Sequence, residues 1–431
     1  MPDLPRRISS AILSSLSAGV VPRVGLEYIA VGRKREVEAS LQDLDNIAGG
    51  AAAFRIVAGR YGSGKSFFLQ AIRNYALEQG FITADADLSP EKRLSGPAGL
   101  ETYRELLQRL ASRARPEGGA LEGLLQKWIN SIKLSFIQDG YGANDPDLPK
   151  LVEKRIYETV NEMEDLAHGF DFARVLSAYY LAYTNSVDEK KEAALRWLRG
   201  EYATKTEAKT LLGTGEIITG ENWYDYIKLL AAFSFRSGGK GLLLFIDECT
   251  QLAKIGNRQS RENNYEKLLA LFNDVMQGKA ERLGIYLAGT PQFIEDDRRG
   301  LFSYQALKSR LAESRFAREG YTDYSGPVLR LSQLSQEEIY VLLERLRDIH
   351  AFHHAYESEL GNRELSIFLE QAFSKAGAEE FITPREIARD FLGLLNITHN
   401  ENLNFDDLVY RDGYRVEGYK PGGSFYADFE V

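Results

Sequence analysis

The chain has 431 residues, of which 44% are hydrophobic and 27% charged, and a formal net charge of −9, the make-up of a folded soluble protein of up to about three domains. No stretch approaches the roughly 20 apolar residues of a membrane span, and a single cysteine excludes a disulfide framework. The acidic balance gives no global nucleic-acid signal, and with no targeting pattern around Arg6 and Arg7 the expected compartment is a reducing cytoplasm.

In chain order, Ile8, Ala11, Ile12 and Leu16 fall at helical spacing. Then comes Tyr28-Ile29-Ala30-Val31-Gly32-Arg33, followed by an expected helix over residues 34–47. The apolar-Gly-Arg step resembles the amino-terminal signature of AAA+ proteins of the initiator and STAND-like type. The resemblance implies that the backbone at Gly32 and the Arg33 side chain lie beside the adenine or the neighbouring subunit. The other reading of Arg33 is a surface ion pair.

The apolar run Phe54-Arg55-Ile56-Val57-Ala58 predicts a buried strand. It leads into Gly59-Arg60-Tyr61-Gly62-Ser63-Gly64-Lys65-Ser66, the G-x-x-x-x-G-K-S phosphate-binding loop (Walker A). From Phe67 to Leu77 apolar residues recur at helical spacing. Strand, glycine loop and helix is the arrangement this loop requires, and it disfavours a chance glycine cluster. The glycines let backbone N–H groups turn inward around anionic oxygens, and the helix N-terminus adds a favourable dipole. Lys65 is expected to reach the β- and γ-phosphates of ATP, and the Ser66 hydroxyl to ligate Mg²⁺. Phe67 completes the expected nucleotide-binding set.

A second strand is expected over residues 81–88. From about residue 100 to 235 the chain reads as helices. Leu121, Leu124, Leu125, Trp128, Ile129 and Ile132 form one apolar stripe, and Phe172, Val175, Leu176, Tyr179 and Tyr180 another. The aromatic residues here read as core rather than as a base-stacking platform.

The sheet resumes at Gly241-Leu242-Leu243-Leu244-Phe245-Ile246-Asp247-Glu248, an apolar run ending in two acids, the Walker B pattern. Asp247 is expected to hold Mg²⁺, and Glu248 to act as general base on the attacking water. The alternative is a strand ending in two solvated acids, which the P-loop disfavours. Cys249 reads as a packed small residue. A charged loop at 254–264 carries Lys254, Arg258 and Arg261 and leads to an expected helix over 265–277.

Leu283 to Thr290 predicts another core strand. Its terminal Thr290 fits the sensor-1 position of AAA+ proteins, or else simply ends the strand before Pro291. A helix is expected over 302–316. In AAA+ proteins an arginine at the end of this helix acts on the neighbouring subunit's ATP, and such a finger is worth about 10³–10⁵ in rate. Arg310 and Arg315 are both placed for that role. The alternative pairs them with Glu313 and Glu319. Residues 327–331 predict the last strand.

Ser335 and Glu338 form a capping-box pattern that starts a helix. A second helix is expected over 364–376, and a third begins at Thr383 (N-cap) and Pro384 (N1). Arg385 matches sensor 2, with Arg389 as the alternative and a plain helix-start arginine as the bland reading. His350, His353 and His354 lack a completing acid or thiol, so solvated histidines are expected. Phe425, Tyr426, Phe429 and Val431 in the tail would add a strand or dock on a neighbour.

The expected fold class is therefore α/β: an AAA+ P-loop NTPase with a parallel sheet, flanking helices, a large helical insertion and a C-terminal helical lid. Residues 1–333 would form the nucleotide-binding domain, with the insertion at about 98–238. The lid would occupy 334–398 and the tail 399–431.

The stretches Asp87-Leu88-Ser89-Pro90-Glu91-Lys92-Arg93-Leu94 and Ser112-Arg113-Ala114-Arg115-Pro116-Glu117-Gly118-Gly119-Ala120-Leu121 resemble the ATP-binding proteins of BREX (bacteriophage exclusion) systems. That resemblance implies ATP-driven work in an antiviral complex on DNA, with other defence proteins as partners. The residues themselves point to an ATPase. One reading is an oligomeric AAA+ motor that remodels or moves DNA or a protein partner; the candidate finger implies a homo-oligomer. The other is a nucleotide-gated switch that recruits partners with little turnover. A small-molecule kinase is disfavoured by the helical lid. Lys92 and Arg93, then Lys254, Arg258 and Arg261, are the candidate DNA contacts, unless they are simply solvated.

Overall fold

The computed structural model describes residues 4–161, 167–314, 322–374, 383–401, 403–405 and 408. The apolar runs extend as strands β1 (Ala53–Gly59), β2 (Ile82–Asp87), β3 (Leu242–Asp247), β4 (Leu283–Gly289) and β5 (Val328–Leu331). They form one parallel sheet in the order β2-β3-β4-β1-β5. Every residue of β1 and β4 is buried, as a parallel sheet covered on both faces requires. Register pairs Asp87 with Asp247 and Ala58 with Gly289. The carboxyl ends of β1, β4, β3 and β2 therefore follow one another along one edge, where open α/β sheets bind ligands.

The helices are α1 (Arg6–Ser17), α2 (Leu26–Ile29), α3 (Lys34–Ala48) and α4 (Lys65–Glu78), then α5 (Pro97–Gln108), α6 (Leu121–Gln138) and α7 (Leu148–Asn161). The chain continues with α8 (Gly169–Thr184), α9 (Asp188–Leu198), α10 (Lys205–Leu212), α11 (Trp223–Arg236) and α12 (Arg258–Met276). Last come α13 (Pro291–Glu295), α14 (Gln305–Leu311), α15 (Gln336–His354), α16 (Asn362–Ser374) and α17 (Pro384–Glu401). Two helices differ from expectation. Helix α12 starts at Arg258, seven residues early, because Asn257 caps it by accepting the Ser260 N–H at 2.8 Å; its first turns are polar and carry no apolar signal. The expected 302–316 helix is a short 3₁₀ turn at Leu301–Ser303 followed by α14, which ends where Ala312 turns extended.

The chain divides into two compact units: Met1–Lys34, Gly59–Ala71 and Leu331–Val431 in one, Arg35–Ala58 and Ile72–Arg330 in the other. In the second, the insertion helices α5–α11 share one continuous core with the sheet. Trp128 meets Phe233 edge to face at 5.0 Å, and Trp197 meets Tyr226 at 5.3 Å. These aromatic residues are core, as expected.

The same unit buries a charge that the apolar run concealed. Arg55 of β1 donates to both carboxylate oxygens of Asp43 on α3, at 2.6 and 2.8 Å. Tyr286 Oη donates to Asp43 at 3.0 Å, and Arg55 also donates to the Tyr324 carbonyl at 3.0 Å. Burial disfavours the Arg55 charge, but the Asp43 hydrogen bond and charge outweigh it and raise its pKa.

In the first unit, α1 and α2 join α15, α16 and α17 around Ile12, Leu26, Ile29, Leu343, Leu346, Phe391 and Leu395. Ser335 and Glu338 make the full capping box expected of them. Phe67 and Ala71 of α4 pack on this cluster.

Candidate nucleotide-binding site

The P-loop leaves β1 at Gly59, and Lys65 opens α4. Gly62 and Gly64 have φ of 76° and 87°, the left-handed region that glycine reaches without strain. At Gly64 the space where a Cβ would stand is open. At Gly59 a Cβ would lie 2.2 Å from Ser63 Oγ, so the glycine permits the tight turn. Lys65 Nζ donates to the Gly59 and Arg60 carbonyls, both at 2.9 Å. The buried Ser63 Oγ has no partner among the described residues. Arg60 and Tyr61 are exposed, Tyr61 at 77%. Glycine backbone, a helix N-terminus and a lysine ammonium at the loop together fit an anionic phosphate chain.

Gly32 and Arg33 both have positive φ. A Cβ at Gly32 would lie 2.3 Å from Glu338 Oε1. The Arg33 guanidinium donates to the Ser63 carbonyl of the P-loop at 3.0 Å and to Ser332 Oγ at 3.2 Å. Arg33 thus braces the loop backbone.

Thr383 and Glu386 form a capping box at the start of α17: Thr383 Oγ1 accepts the Glu386 N–H at 3.2 Å, and Glu386 accepts the Thr383 N–H at 2.9 Å. The Thr383 N–H and hydroxyl, both donating to the Glu386 carboxylate, hold its pKa below the usual value. Arg385 is exposed and makes no hydrogen bond or ion pair among the described residues, while Arg389 lies 3.5 Å from Asp390.

At the end of β3, Asp247 Oδ1 accepts the Glu248 N–H at 2.7 Å, and the Glu248 side chain is exposed. Glu248 has φ 56° and ψ 30°. The Cys249 that follows is fully buried, and burial pushes its thiol pKa well up, so it is the packed small residue expected. Thr290 follows β4 and caps α13, its Oγ1 accepting the Phe293 N–H at 3.3 Å; its own N–H donates to Thr250 Oγ1 at 3.1 Å. Arg310 is exposed, and donates to Asn273 Oδ1 at 3.0 Å and the Ala306 carbonyl at 2.8 Å. Arg315 lies outside the described residues, as does Glu319. Glu313 does not pair with Arg310; it is taken by Arg330 of β5, which also holds Glu295.

The family model for the BREX system ATP-binding protein BrxC/D matches residues 4–412. The chain belongs to this family. Its membership, which supports a BrxD-like protein, gives it an ATP-binding role in a BREX defence system. No curated protein matches the chain.

The basic residues considered for DNA are largely engaged. Lys92 pairs with Glu105 at 2.8 Å; Glu105 also takes Arg109 at 2.7 Å, and Arg109 holds Asp87, beside Asp247 in the sheet, at 2.8 Å. Arg93 is half-buried. Arg258 pairs with Glu262 at 2.8 Å, and Lys254 is exposed. Arg261, expected on a loop, is buried on α12 and donates to the Ile255 carbonyl at 2.8 Å; it presents no charge to a partner.

Of the three histidines, His354 is exposed as expected and His353 half-buried, but His350 departs from expectation. His350 is buried rather than solvated, with Tyr356 Oη at 2.9 Å and Asn396 Oδ1 at 3.1 Å. Distant His399 joins His350, His353 and His354. Among the described residues no group of three or more His, Cys, Asp or Glu is arranged to hold a metal ion, and no helix is long and apolar enough to cross a membrane.

Proposed function

We propose that the chain hydrolyses Mg-ATP and spends the turnover on remodelling or moving DNA or a protein partner of the defence complex. The observation that carries this is the P-loop at the end of β1 in a sheet whose next two strands lead to Thr290 and to Asp247-Glu248.

In this reading the loop amides and Lys65 bind the β- and γ-phosphates. Ser66 and Asp247 hold Mg²⁺, which when bound neutralises charge on the phosphate oxygens. Glu248 takes a proton from the attacking water as its oxygen bonds to the γ-phosphorus; the bond to the bridging oxygen breaks, and ADP and phosphate leave. Thr290 donates a hydrogen bond to the water or γ-phosphate. Arg385 reaches the phosphates, and Arg310 or Arg315 acts on the ATP of a neighbouring copy. The working form is thus a cytoplasmic homo-oligomer. Exposed Lys254 is the basic side chain best free to meet DNA.

The test is ATP turnover by wild type and Glu248→Gln, with and without duplex DNA, alongside particle mass. Turnover in an oligomer, stimulated by DNA and lowered about 10²–10⁴-fold by Glu248→Gln, supports the proposal. Tight ATP binding with negligible turnover in both leaves a nucleotide-gated switch instead.

A further inference from the structure

Glu248 has a Cβ, yet its backbone stands at φ 56°, ψ 30°. Left-handed geometry is costly for a side-chain-bearing residue and persists only where the surroundings impose it. Here they do. Asp247 Oδ1 accepts the Glu248 N–H, and the Glu248 carbonyl accepts the Gln251 N–H at 2.9 Å, which closes the 3₁₀ turn Cys249–Leu252. Cys249 anchors that turn in the core and reaches the Ile246 carbonyl at 3.4 Å.

Thr250 ties the turn to the neighbouring strand. The β3–β4 register runs to the pair Ile246 and Leu287. Beyond it, Thr250 Oγ1 accepts the Thr290 N–H at 3.1 Å and lies 3.5 Å from Thr290 Oγ1. One hydroxyl thus joins the turn that aims Glu248 to the residue that follows β4. We infer that Thr250 is a positioning residue for the hydrolytic step, setting Glu248 against Thr290 without touching a reacting atom. This rests on the hydrolase reading proposed above.

The chemistry of the link fixes the test. Valine keeps the shape of threonine and removes the acceptor, leaving the Thr290 N–H without its partner; serine keeps the oxygen. Steady-state turnover and equilibrium binding of a fluorescent ATP analogue are measured for wild type, Thr250→Val, Thr250→Ala, Thr250→Ser, Glu248→Gln and the Glu248→Gln/Thr250→Val double variant. Small misplacements of a catalytic group cost up to about 100-fold. We expect kcat to fall about 10–100-fold in Thr250→Val and Thr250→Ala. KM and analogue affinity should stay within about twofold, as for an interaction felt only in the transition state. Thr250→Ser should keep most of the turnover, and Thr250→Val should cost little more once Glu248→Gln is present, because the two residues act as a unit.

Wild-type kcat in Thr250→Val and Thr250→Ala, with turnover strongly lowered in Glu248→Gln, would overturn the inference and leave the hydrolase standing. So would equal losses of kcat and nucleotide affinity, or full additivity in the double variant. Should Thr250→Val fail to fold, Thr250→Ala against Thr250→Ser decides the same question. Wild-type turnover in Glu248→Gln would overturn the hydrolase reading and the inference with it.

Discussion

Gly62 of the P-loop lies against Thr383, the N-cap of α17: a Cβ on Gly62 would stand 2.1 Å from Thr383 Cγ2. Gly62 also has φ 76°. Gly62→Ala therefore meets two penalties, left-handed strain of about 1–2 kcal/mol and displacement of the capping threonine. We expect a lower melting temperature and weaker binding of a fluorescent ATP analogue. Unchanged values of both would mean that loop and cap readily move apart.

Lys65 and Glu248 should fail differently. Lys65→Ala removes the ammonium at the loop and should abolish stabilisation by ATP in thermal unfolding, since only a ligand that binds the folded state raises the midpoint. Glu248→Gln should keep that stabilisation while turnover falls about 10²–10⁴-fold, the usual scale of a lost general base. The comparison is read by thermal shift and phosphate release side by side.

The buried Arg55–Asp43 pair predicts a stability effect remote from chemistry. Asp43→Asn removes a negative charge that faces a buried guanidinium, and breaking such a pair by one partner costs about 3–5 kcal/mol. Tyr286→Phe removes one hydrogen bond to Asp43 and should cost about 1 kcal/mol. Denaturant unfolding of the two variants should preserve this order.

His350 predicts a pH dependence. Burial pushes its pKa down to about 4; the Asn396 hydrogen bond opposes this, and His354, His399 and His353 add to it. The unfolded chain therefore takes the proton first as pH falls. The stabilising effect of a neutral His350 is fully present above about pH 6.5 and is lost progressively toward pH 4, at about 1.4 kcal/mol per unit of pKa difference. The melting temperature should fall between pH 7 and 5, and less steeply in His350→Gln. Equal slopes would show that other groups govern the acid limb.

The α/β class was legible in the chain because its signals are local. The run Leu242 to Ile246 ends in Asp247, Gly59 to Ser66 spells the phosphate loop, and Ser335 and Glu338 stand at capping-box spacing; each pattern acts within one element. The start of α12 escaped because Asn257 caps a polar turn. Arg55 escaped because one charged residue in an apolar strand does not show whether a carboxylate waits elsewhere.

By itself, then, the sequence determined which segments become strands and helices, and where phosphate-binding and acidic chemistry stand along the chain. Only the tertiary structure decided that Thr250 reaches Thr290, that Arg33 braces Ser63, that Thr383 sits on Gly62 and that His350 is buried beside Asn396. Those pairs join residues that are distant in the chain, or on different elements. Secondary structure is written in short-range periodicity and capping, whereas a hydrogen bond between elements exists only once packing has brought its two ends together.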